Sequence, residues 1–249
     1  MLSETTFAPA AVSSMQKGHA DARPMSYGGV IGKSLLLLVL TIGFAAVGWI
    51  NTDLASALGE GGPGLLWFLG YLFLIGLTIA AAANPRIAPG VGLVYSVVMG
   101  LWVGYVSKVY SVYWDGIVAL ALLASLGTVL ATLLLYLVGA IRVTGKFIRV
   151  VSGAMLGLLV TYLATWVLGL LGADLSFFYG PTTTGIAFSL LICILAAATL
   201  ATDFEFIRQG VDGGAPATME WYAAFGLVSA LVWLYVEILR LLALLARNR

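Results

Sequence analysis

Three ionisable side chains stand where an apolar chain should carry none: Asp203, Glu237 and Arg240. Glu237 follows Leu-Val-Ser-Ala-Leu-Val-Trp-Leu-Tyr-Val and is followed by Ile-Leu-Arg-Leu-Leu-Ala-Leu-Leu-Ala. A carboxylate at the centre of such a helix costs about 2.5–3.5 kcal/mol on insertion scales, so its presence marks a function by default. Asp203 closes the preceding apolar block in Ala-Thr-Asp-Phe-Glu-Phe-Ile-Arg, and an antiparallel return of the chain allows the two acids to meet. Two carboxylates a few ångströms apart at low dielectric cannot both ionise cheaply; they share a proton and titrate as a unit. A plainer arrangement competes with this one: Glu237 paired with Arg240 three residues on, and Asp203 at the interface in water.

Composition decides what has to position these residues. The chain is 61% hydrophobic and 9% charged, with a mean hydropathy of +1.06, against about 25% charged residues in an ordinary soluble domain. It reads as an all-α integral membrane protein. A net charge of +1 with no basic, aromatic-interleaved cluster excludes nucleic acid as a partner. Enzyme chemistry lacks its parts. The one histidine, His19, precedes the first apolar block, and Cys193 is the one cysteine. No glycine-rich phosphate loop ends in Lys-Ser or Lys-Thr, and residues 221–249 hold no lysine for a retinal Schiff base. The sequence therefore predicts a non-enzyme without cofactor.

Hydrophobic blocks of bilayer length, separated by Gly, Pro and charge, predict seven spans. These are Val30–Ile50, Gly64–Ala83, Pro89–Tyr110, Gly116–Ile141, Val150–Leu171, Gly185–Thr202 and Trp221–Leu245. Residues 1–29 read as a polar, mobile cytoplasmic tail, 30–246 as the membrane domain and 247–249 as its C-terminal end. Lys33, Arg86 and the Arg142–Arg149 linker fall on one side of a seven-span layout, which places the N-terminus in the cytoplasm. Asp53, Glu60, Lys108, Asp115 and Asp174 fall on the other, although Arg247 and Arg249 do so as well. Gly100-x-x-x-Gly104 and Gly153-x-x-x-Gly157 predict two close helix–helix approaches. Trp49, Trp67, Trp114 and Trp221 fall near predicted span ends, as interfacial tryptophans do.

Asp203 with Ile207, then Leu234-Tyr235-Val236-Glu237-Ile238, resembles the Bax inhibitor-1 (transmembrane Bax inhibitor motif) family. Asn84-Pro85-Arg86 and the stretch from Met219 to Gly226 resemble its bacterial branch, which implies the bacterial inner membrane. The resemblance implies six helices around a central seventh and a pH-sensitive calcium leak governed by an acidic pair on helices six and seven. Asp203 matches the first acid of that pair and Glu237 the second, with Glu in place of Asp, and both are then candidate transient calcium contacts through their hard carboxylate oxygens. Arg240, and Arg86 at the second-to-third-span turn, are then the counter-charges. The expected function is a calcium-permeable channel or leak whose partners are the lipid bilayer, calcium and protons. The alternative is a membrane interaction partner that modulates a protease or stress pathway without conducting ions, docking through its tail and the Arg208–Glu220 turn.

Overall fold

The computed structural model describes residues 23–51, 65–172 and 180–248, with the backbone alone at 65–72 and 82. The tail through residue 22 with His19, and also Asp53, Glu60, Asp174, Arg249 and the Trp67 side chain, lie outside the described residues. The described chain is helical: α1 Tyr27–Ile50, α2 Leu65–Ala83, α3 Ala88–Tyr113, α4 Ile117–Leu137, α5 Gly145–Leu170, α6 Thr183–Asp212 and α7 Met219–Arg247. Among the described residues, six helices are long and apolar enough to cross a membrane. The remaining one, α2, has 19 residues.

Helix ends follow local chemistry. Ser26, Thr144 and Thr182 cap α1, α5 and α6 by accepting from the backbone N–H three residues on. The Asn84 side chain accepts from the Arg86 N–H and turns the chain through a 3-10 helix at Pro85–Ile87 into α3. The predicted boundaries shift in two instructive places. The fourth helix ends at Leu137, not Ile141, because Gly139 takes a left-handed φ of 73° that a helix cannot continue. The sixth runs ten residues past Thr202 to Asp212, since Glu205, Arg208, Gln209 and Asp212 satisfy one another at helical spacing. The connection to α7 shrinks to residues 213–218.

α7 packs against α1, α3, α4 and α6, while α2 packs on α3 and α5 on α6. It is also the most enclosed of the candidate spans, with 56% of its apolar window buried against 6% for α5. Its buried residues include Val228, Leu234 and Leu239, which join Leu37 of α1 and Leu200 of α6 in one core. The Gly100/Gly104 motif does what its spacing predicts. A Cβ at Gly100 would come within 2.6 Å of the Thr41 carbonyl, and one at Gly104 would collide with the Ala45 backbone, so α1 and α3 touch through bare backbone. Gly153 and Gly157 face open space, and that motif closes no contact among the described residues.

Residues 23–29, assigned by sequence to the polar tail, belong to the fold. Pro24 bridges Pro216, the Met25 N–H donates to the Ala215 carbonyl at 2.7 Å, and Tyr27 already opens α1. Glu220 at the start of α7 accepts from the Ser26 N–H at 2.9 Å and the Ser26 hydroxyl at 3.1 Å, and it pairs with Lys33. The Lys33 ammonium also lies 5.5 Å from the Trp221 ring centre. The 208–220 turn is thus partly covered by the chain's own 23–26 segment, and its last residue, Glu220, is buried rather than offered for docking.

Candidate functional site

The face of α7 that carries Glu237 is a stripe at helical spacing: Gly226, Ala230, Trp233, Glu237, Arg240, Leu244 and Arg247. Two cavities open along it. One, of about 560 Å³, is bounded by α2, α3, α5, α6 and α7 and touches Gly226, Ser229, Ala230 and Trp233 of the stripe and its flank. The other, of about 650 Å³, is bounded by α3 and α7 and touches Arg240, Ala243, Leu244 and Arg247. Glu237 falls between the two sets, four residues after Trp233 and three before Arg240.

Three side chains close in on this carboxylate. Tyr162, which reaches over from α5 and also lines the first cavity, donates its hydroxyl to Glu237 Oε1 at 3.2 Å. Arg240, which lines the second cavity, places Nη1 3.5 Å from Glu237 Oε2. Trp233, one turn earlier on α7, interacts with the same carboxylate. Both partners of the ion pair are largely enclosed, with side-chain exposures of 19% for Arg240 and 7% for Glu237. A buried charge needs its counter-charge, and here the helix supplies one at i,i+3. The simpler of the two arrangements open to the sequence, Glu237 with Arg240, is the one present.

Asp203 lies elsewhere. Its Oδ1 sits 3.4 Å from where a Gly226 Cβ would be, and its side chain lines the first cavity. Gly226 precedes Glu237 by eleven residues, about 16 Å along the helix axis and three turns, hence on the same face. The expected Asp203–Glu237 pair therefore does not form. The reason is the register of the α6–α7 hairpin: Asp203 and Gly226 are nearly equidistant from the 213–218 turn, and Glu237 is level with the Cys193 region instead, the thiol with which it interacts electrostatically. Among the described residues no hydrogen bond or ion pair reaches the Asp203 carboxylate. Arg86 is exposed in its 3-10 turn and makes no ion pair among the described residues, so it is not a counter-charge to either acid here.

The sequence reading missed Tyr162. A tyrosine inside an apolar span is the signal that could have found it, because a buried phenol seeks a partner. Tyr235 obeys the same rule, sharing a 2.7 Å hydrogen bond with Ser107 of α3 beside the stripe. A second acid, Glu205, was passed over although it is buried. It accepts from Tyr136 at 2.6 Å, from Arg208 at 2.7 and 3.0 Å and from Gln209 at 2.7 Å, which ties the end of α4 to α6. No group of three or more His, Cys, Asp or Glu able to hold a metal occurs among the described residues.

A family model described as Bax inhibitor 1 like matches residues 5–247, nearly the whole chain. No curated protein and no solved structure matches.

Proposed function

The chain belongs to the Bax inhibitor 1 like family, and from that premise we propose that it is a pH-sensitive, calcium-permeable leak whose path follows the Glu237 stripe of α7. In this reading α2 completes seven spans, α7 is the central helix, the N-terminus is cytoplasmic and the membrane is a bacterial inner membrane. The observation that supports it is the position of Glu237, flanked by two cavities and held by Tyr162 from one and Arg240 from the other. A cation passing from cavity to cavity must pass this carboxylate. With Arg240 beside it the constriction is nearly neutral and closed by side chains rather than by backbone, so it can rearrange.

Protonation of Glu237 cancels the attraction that holds Arg240 and changes the charge of the constriction by one. That is the pH response. Asp203, beside Gly226, and Glu237, about 16 Å further along the α7 axis, act in series, each as a brief carboxylate contact. Calcium takes 6–8 oxygen ligands in a dedicated site, and the constriction offers one carboxylate and one phenol, which suits weak selectivity and slow passage. Calcium flux into proteoliposomes tests the proposal. Glu237→Gln fixes the uncharged form, so its flux at pH 7 should match the value that wild type reaches in acid and stay flat as pH changes. Wild-type flux with unaltered pH dependence in Glu237→Gln sinks the reading.

A further inference from the structure

The first cavity has the lining of a small-molecule site. Its walls are apolar, with Ile79 from α2, Met99 from α3 and Leu159 from α5, and three aromatic side chains, Tyr95, Tyr162 and Trp233, face into it. One carboxylate, Asp203, lines it. That carboxylate has no hydrogen bond or ion pair among the described residues, whereas Glu205, two residues on, is met by three side chains. Gly226 leaves the α7 side of the Asp203 carboxylate uncovered: a Cβ there would stand in van der Waals contact with Oδ1, at 3.4 Å.

We infer that the Asp203 cavity is a binding site for a lipophilic organic cation, an amine or quaternary ammonium with an apolar body. The volume of about 560 Å³ lies within the range of small-molecule sites. A bare divalent ion is poorly served by it, since 6–8 oxygens are needed and the wall offers one carboxylate and scattered hydroxyls. An alkylammonium requires less: one counter-charge, aromatic faces for its positive head and apolar walls for its carbon. All three are present around one concavity. The inference does not rest on the leak reading, although it concerns the same cavity: binding is expected whether or not ions cross.

The test uses the full chain in lipid nanodiscs and benzyltributylammonium as the probe, with equilibrium dialysis against empty nanodiscs. Saturable binding above the empty discs is expected, weakened about tenfold or more in Asp203→Asn, retained in Asp203→Glu and unchanged in Asp212→Asn, which removes an exposed carboxylate. On the wild-type chain, the neutral N,N-dibutylbenzamide should bind at least about tenfold more weakly than the ammonium, a comparison that holds even if Asp203→Asn fails to fold. Equal binding of the two probes, equal binding to wild type and Asp203→Asn, or no saturable binding at all overturns the inference and leaves the cavity as a cleft for lipid acyl chains.

Discussion

Glu220 and Glu205, near the turn that joins α6 to α7, have both oxygens met by hydrogen-bond donors, whereas Glu237 has Tyr162, Trp233 and a loose ion pair with Oε2 accepting no hydrogen bond, and Asp203 has neither hydrogen bond nor ion pair among the described residues. Surface exposure does not set Glu237 apart: Glu205, Glu220 and Glu237 are 7%, 2% and 6% exposed. Partner supply does. Where both oxygens of a carboxylate accept hydrogen bonds, it fastens the fold, as Glu220 fastens residues 26 and 33 to α7 and Glu205 fastens α4 to α6. Where it is under-supplied beside a cavity, the missing interactions are left for an ion, a proton or a ligand.

This contrast can be broken most readily at Glu220. Glu220→Ala strands a partly buried Lys33 and frees residues 23–26, and it should cost about 3 kcal/mol, read as lowered thermal unfolding in detergent. Loss of less than about 1 kcal/mol would mean that the clamp is ornamental. Glu205→Ala comes next at about 1–2 kcal/mol, since Arg208 can still turn to water while Tyr136 loses its acceptor. The two glycine motifs sharpen the same point in another currency of contact. Gly104→Ala forces α1 and α3 apart and should cost about 1–3 kcal/mol, while Gly157→Ala, with nothing within 4 Å, should stay within about 0.5 kcal/mol of wild type in the same melts. Smallest is Asp203→Asn. Removing an unpartnered charge from an apolar cavity should leave stability unchanged or slightly raised, and a clear loss would show that Asp203 has a structural partner after all.

Much of the architecture was readable in order of residues. Apolar blocks of bilayer length placed every helix within a few residues, except where polar side chains carried α6 on to Asp212 by pairing with one another. With α6 carried on to Asp212 and only residues 213–218 between the helices, Asp203 stands beside Gly226, and Glu237, eleven residues further into α7, is out of its reach. The Glu237–Arg240 contact needed only i,i+3 spacing and was visible; Tyr162 needed α5 brought over α7 and was not.

The sequence by itself determined that this is a helical membrane protein, that Asp203, Glu237 and Arg240 are its costly charges, and that another helix can approach α3 closely at Gly100 and Gly104. These depend on hydrophobicity, spacing and residue size, which are local. Which carboxylates are saturated and which are left facing cavities was decided only by the tertiary structure. Donors arrive from other helices, and their arrival depends on hairpin register and on packing that no single segment encodes.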